Sequence, residues 1–175
     1  MFMHIKKTYA MAAAALMAAL SVVLLLIGVY IPVNTLFFTA MAAYLAGYTI
    51  NKYGIKYGGA QLVVCALLDM FFIPDKLNWI VYLCLSGYIF FSEVIFQRWN
   101  RVRDRKKKMR VQLVCNGILF NMIYIPVLMF GRQLLFTGEM PAGSIVLWLA
   151  GQVGWIIYDK GYRVFIQTVG ERTGG

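Results

Sequence analysis

From Thr8 to Tyr30 the chain runs 23 residues without a charged side chain. A helix needs roughly 17–25 predominantly apolar residues to cross the hydrocarbon core of a bilayer, so this run has the length and texture of a spanning helix. It is followed by further apolar segments at about residues 36–50, 55–73, 77–96 and 111–130, and by one that starts near Ala142 and extends to about Val169. The chain as a whole is 61% hydrophobic and 14% charged, against roughly 45–50% and about 25% in a soluble domain. The surplus apolar surface calls for lipid as its solvent. The expected fold class is therefore an all-α membrane protein, a single domain over residues 1–175 with six transmembrane helices in one bundle. The second segment is short for a span, so it either begins earlier, near Val33, or the bilayer thins around it.

Lys6 and Lys7 ahead of the first run imitate the start of a secretory signal. The run exceeds the roughly 7–15 residues of a signal core, and its Ala-x-Ala patterns come at the beginning rather than the end, which predicts a retained first helix.

The gaps between segments predict orientation. With the N-terminus inside and alternating crossings, the inner face receives Lys6, Lys7, Lys52, Lys56, Arg98, Arg101, Arg103, Arg105, Lys106, Lys107, Lys108, Arg110, Lys160, Arg163 and Arg172. These are 15 of the 17 basic residues, leaving Lys76 and Arg132 outside. That asymmetry is the positive-inside pattern, and it predicts a plasma-membrane protein with both termini in the cytoplasm. The net charge of +10 is thus assigned to short loops facing anionic lipid rather than to nucleic acid. Pro32, Pro74 and Pro141 mark helix boundaries, while Pro126 falls inside the fifth helix.

Catalytic and metal chemistry find no foothold. Cys65, Cys84 and Cys115 each lie within an apolar run, His4 is the only histidine, and no HExxH, GxSxG, phosphate-loop or Ser/His arrangement occurs. The chain reads as a non-enzyme with no cofactor and no metal. Any active transport would draw its energy from a partner or from an ion gradient.

Three features bear on function. The first is a run of small residues, Ala10, Ala14 and Ala18 with Ala15 and Ala19 beside them. Four-residue spacing puts them on one helix face, which allows close helix approach either by a partner subunit or by helices of the same chain. The second is a set of polar and aromatic residues that the topology gathers toward the outer side. Asp69 is in the third helix; Asn78 and Trp79, with Tyr82, open the fourth. Asn121 and Tyr124 are in the fifth helix, Trp148 and Gln152 in the sixth, and Asn34 in the first outer loop. A few polar groups among aromatic walls is the lining expected of a small-molecule site. The same residues also fit an interfacial aromatic belt and interhelical hydrogen bonds, with Asp69 paired to Lys76 or Arg132. The third is Glu93 near the inner end of the fourth helix, expected to snorkel to the basic loop and pair with Arg98, with residues 97–110 acting as an orientation signal or as a site for anionic lipid or a cytoplasmic partner.

The six short helices, the AxxxA spacing of the first, and the run NKYGIKYGGAQLVVCALLDMFFIPDKLNWIVYLCLSGYIFFSEVIF over residues 51–96 resemble the substrate-binding S components of energy-coupling factor transporters. The resemblance is one of architecture and covers most of the chain. It implies a membrane subunit that captures a small vitamin-like molecule at the outer face. Ala10, Ala14 and Ala18 would dock onto a transmembrane coupling subunit, residues 31–35 would form part of a lid, and ATPase subunits would drive uptake. A shape-determining membrane scaffold of the MreD type has similar size, helix count and texture, and would bind no ligand. A small membrane enzyme is the third reading and has no nucleophile or metal set to support it.

Overall fold

A computed structural model describes the backbone over residues 2–31, 34–72, 76–98, 105–135 and 141–173, and the side chains over 7–31, 34–72, 78–98, 111–127, 146 and 148–169. The described residues form six α-helices: α1 (Phe2–Tyr30), α2 (Thr35–Tyr53), α3 (Ile55–Phe72), α4 (Lys76–Arg98), α5 (Arg105–Leu135) and α6 (Pro141–Thr173). Among the described residues, three stretches are long and apolar enough to cross a membrane by length and composition, Lys7–Tyr30, Ile55–Phe72 and Asn78–Arg98, and Val111–Val127 is a shorter apolar helix segment. The chain is therefore all-helical and of a membrane-protein type. Contacts divide it into two compact units, Met1–Gln112 and Leu113–Gly175, with the boundary inside α5.

In the first unit consecutive helices run antiparallel. At one end of the α1/α2 pair the Thr35 hydroxyl donates to Gly28 O at 2.8 Å, in the middle Ser21 Oγ reaches Ala42 O at 3.3 Å, and at the other end the rings of Tyr9 and Tyr53 meet edge-on at 6.3 Å. The α2/α3 connection is a single residue, Gly54, whose φ of +102° lies where an L side chain is disfavoured, and its N–H caps α2 by donating to Ile50 O at 3.0 Å. One turn later Gly58 lets α3 lie directly on α2: a Cβ there would strike the Ile50 side chain and come within 2.9 Å of its backbone nitrogen. Trp79 Nε1 donates to Ala66 O at 2.9 Å, and Gly59 lies against the Phe90 ring, so α4 runs back along α3.

The helix at the centre is α2. Every residue from Ala42 to Ile50 is buried, on all sides of the helix, because α1, α3 and α4 all pack against it. This accounts for its sequence. A helix enclosed by protein need not be apolar toward lipid, so Thr39, Tyr44, Tyr48 and Thr49 are accommodated here and α2 lacks the uniform hydropathy of its neighbours. It spans 19 residues rather than the expected 15, since Lys52 and Tyr53 continue the helix. Lys52 Nζ donates to Tyr48 OH at 2.9 Å and sits 5.5 Å from that ring and 5.9 Å from the Tyr53 ring. The hydrogen bond to Tyr48, more than any other influence, raises the Lys52 pKa and holds its charge.

Ala10, Ala14, Ala18, Ser21 and Leu25 form the buried stripe of α1, at spacings of four, four, three and four residues. The three alanines are each 9% exposed, and Ala18 O accepts from Cys65 Sγ of α3 at 3.6 Å. The small-residue face is thus turned toward helices of its own chain, the second of the two uses open to it. The opposite face, with Tyr9, Met11, Leu16, Leu20 and Val23, is exposed.

The second unit is built on an α5/α6 hairpin whose helices run antiparallel, with Asn116 opposite Asp159 and Asn121 opposite Gln152. Pro126 is within α5, as expected.

Candidate functional site

The polar residues expected to line a pocket on α5 and α6 do come together, and they satisfy one another. Asn121 Oδ1 accepts from Gln152 Nε2 at 2.8 Å and from Trp148 Nε1 at 3.3 Å, while its Nδ2 donates to Gly117 O at 2.9 Å. Both lone-pair directions of the amide oxygen are occupied, and one amide proton is tied to the helix's own backbone. Tyr124 is seated over Gly151, where its ring and hydroxyl fill the space a Cβ would take. It also stacks on Phe120, which stacks in turn on Trp155, at centroid distances of 4.9 and 5.8 Å. Trp155 closes over Gly117. Two glycines thus receive two aromatic rings from the facing helix, and the four expected residues are committed to closing the hairpin.

The hairpin also holds a network the sequence reading did not single out. Asn116 is fully buried and its Nδ2 donates to Asp159 Oδ1 at 3.1 Å; Asp159 Oδ2 accepts from Arg163 Nε at 2.9 Å. A carboxylate at this depth is tolerable because it is paired and hydrogen-bonded. The Asp159–Arg163 spacing of four within an otherwise apolar helix was the available signal.

In the first unit the expected residues separate. Asn34 is exposed; its carbonyl accepts from the Phe37 and Phe38 amides and its side chain makes no capping bond. Trp79 is spent on the α3 backbone, as described. Asp69 and Asn78 are interior, 2% and 5% exposed. The counter-charges expected for Asp69, Lys76 and Arg132, lie outside the residues whose side chains are described. Glu93 is buried rather than snorkelling, on the α4 face that also carries Tyr82, Ser86 and Ile89, while Arg98 is exposed.

Asp69 and Asn78 belong to a polar seam between α3 and its neighbours. On α3, Gln61, Cys65 and Asp69 recur every four residues, and on α4 Asn78, Tyr82 and Ser86 do the same, so each set lies on one face. The Tyr82 hydroxyl lies beside Cys65, and Asp69 is close enough to both to act on them electrostatically. Because α3 and α4 are antiparallel, Asp69, one turn beyond Cys65, shares a layer with Asn78, one turn before Tyr82. Ser21 of α1 closes the seam at Gln61, whose Nε2 donates to Ser21 Oγ at 3.1 Å while the Ser21 hydroxyl donates to Met17 O at 2.9 Å. Thr39 of α2 closes it at Asn78. The signal in the sequence was the fourfold spacing of Gln61, Cys65 and Asp69; the partners on α1 and α2 had none.

In this seam Gln61 Oε1, the Tyr82 hydroxyl and one end of the Asn78 amide have no hydrogen-bond partner among the described residues. No group of three His, Cys, Asp or Glu side chains is placed to hold a metal ion among them either. These features define a helical protein of membrane type with a polar interior. No family model, no curated protein and no solved structure matches the chain.

Proposed function

We propose that this chain is the substrate-binding membrane subunit of an energy-coupling factor type transporter. In this reading it crosses the plasma membrane six times with both termini in the cytoplasm, captures a small vitamin-like molecule from the outer face, and depends on a transmembrane coupling subunit and ATPase subunits for uptake. The observation that carries the reading is the set of open polar atoms, on Gln61, Tyr82 and Asn78, inside a bundle of apolar helices. A buried polar group left without a partner costs about 1–3 kcal/mol, and a bound solute removes that cost. In this reading the candidate site is in the seam of α1–α4, at the end of the α1/α2 pair that carries Gly28 and Thr35, rather than on α5 and α6. With Ala10, Ala14 and Ala18 turned inward, a coupling subunit would meet other parts of the surface.

Native mass spectrometry of the purified full chain tests this. A bound organic molecule that is lost on Asn78→Leu and retained on Asn121→Leu is the expected result. A chain that carries no organic mass in any preparation, and that co-purifies with cell-envelope assembly proteins instead of an ATPase, would fit the scaffold. One observation favours that second reading: the α5/α6 polar groups are consumed by their own hairpin, as in a solid packed core.

A further inference from the structure

The α2/α3 corner carries a positive charge that no carboxylate among the described residues neutralises. Lys52 is exposed at the end of α2, where its Nζ donates to the Tyr48 hydroxyl at 2.9 Å and lies 5.5 Å from the Tyr48 ring and 5.9 Å from the Tyr53 ring. The groups that act on its charge are Tyr48, Tyr53 and Tyr9. The sequence accounts for this: no Asp or Glu precedes Asp69, whereas Lys6, Lys7, Lys52 and Lys56 all do. Lys7 and Lys56 are exposed as well and add to the positive potential at this end of the bundle. An exposed lysine ordinarily keeps a mobile stem and a fully hydrated head. Here the side chain is already fixed, so much of the entropy that ordering it would cost on binding is lost in the fold itself. Of the three ammonium protons Tyr48 takes one, which leaves two for the oxygens of an anion.

An apolar track begins at the same corner. Tyr9 meets Tyr53 edge-on at 6.3 Å. From Tyr9, Leu16, Leu20 and Val23 follow at spacings of seven, four and three residues, which places them on one face of α1, and all four are exposed. At 1.5 Å per residue the track is about 21 Å long, more than the roughly 15 Å of hydrocarbon in one leaflet. Tyrosine rings settle at the headgroup level of a bilayer, so the Lys52 ammonium lies at the depth of lipid phosphate. A cation at that depth with an apolar track leading away from it has the outline of a phospholipid, and the sign of the charge selects an anionic one.

We infer that the corner formed by Lys52, Tyr53 and Tyr9 is a binding site for one anionic phospholipid, its phosphate against the Lys52 ammonium and an acyl chain along the exposed face of α1. The site is separate from the polar seam and stands for a transporter subunit and for a scaffold alike.

The test is native mass spectrometry of the full chain in detergent, stripped of co-purified lipid and titrated with dioleoyl phosphatidylglycerol or dioleoyl phosphatidylcholine in mixed micelles. One basic residue at an anionic lipid surface is worth about fivefold in affinity. The expected result is a first phosphatidylglycerol bound at least about fivefold more tightly than phosphatidylcholine. Lys52→Gln, an exposed position, is expected to remove that preference and to leave phosphatidylcholine binding unchanged. Lys160→Gln, which removes an exposed lysine from α6, is expected to alter neither. Equal affinity for the two lipids overturns the inference. So does an equal loss in Lys52→Gln and Lys160→Gln, which marks attraction to net charge rather than a site. Displacement of phosphatidylglycerol by the same concentration of glycerol 3-phosphate overturns it too, because the corner then binds a soluble phosphate and not a lipid.

Discussion

Asn121 shows what a single polar residue does when water is excluded. It could serve a ligand or it could serve the fold, and the same amide chemistry suits both. The geometry gives its oxygen to Gln152 and Trp148 and one amide proton to Gly117 O. Convergence of these residues was readable from the sequence, because antiparallel helices bring residues at equal depth together. Their saturation was not, because a sequence does not tell which face of each helix points inward. If the amide is a structural link, Asn121→Leu removes two interhelical hydrogen bonds and leaves two donors in an apolar setting. Such bonds are worth about 0.6 kcal/mol each on average, so the loss of stability is about 1–2 kcal/mol, read from the unfolding midpoint in a denaturing-detergent titration. An unchanged midpoint would mean that Asn121 is not spent on the hairpin and would return it to the list of ligand contacts.

Among the elements, the long uniform helices were the most legible. The expected third and fourth segments fall within two residues of α3 and α4, and the expected first segment ends with α1 at Tyr30 but starts six residues after it, because hydropathy marks the apolar part of a lipid-facing helix and not its polar end. The two misjudged elements have physical reasons. The α2 helix is enclosed by protein, so its hydropathy understates its length. The α5 helix begins at Arg105 within what polarity marked as loop, since Arg and Lys are good helix formers and polarity alone does not end a helix. What joins the elements is carried by small residues. A Cβ on Gly58 would collide with α2, whereas one on Gly87 would meet nothing within 4 Å. Gly58→Ala is therefore expected to destabilise the chain by about 1–3 kcal/mol through overpacking. Gly87→Ala is expected to be neutral or to stabilise by up to about 1 kcal/mol through helix propensity. Both are measured as unfolding midpoints in the same detergent, and a reversal of their order would contradict the α2/α3 approach described here.

For the whole molecule, the expected sidedness rests on helix direction within each unit and on charge. The four helices of the first unit alternate, so the start of α1 and the end of α4 point to the same side. The α5/α6 hairpin likewise brings its two ends to one side. On the expected alternation of crossings, the N-terminus, residues 97–110 and the C-terminus share one face with 15 of the 17 basic residues, and the positive-inside bias predicts that this face is the cytoplasmic one. Lys52, held charged by its contacts with Tyr48 and Tyr53, is among them. Reporter fusions decide this: those at Lys107 and at the C-terminus should report the cytoplasm, and those at Pro74 and Gly138 the outside. A reporter at Lys107 on the opposite side from the N-terminus would require an odd number of crossings in α1–α4. In that case α2, which holds no stretch apolar enough to qualify as a span and is enclosed by the others, would be the helix that does not span.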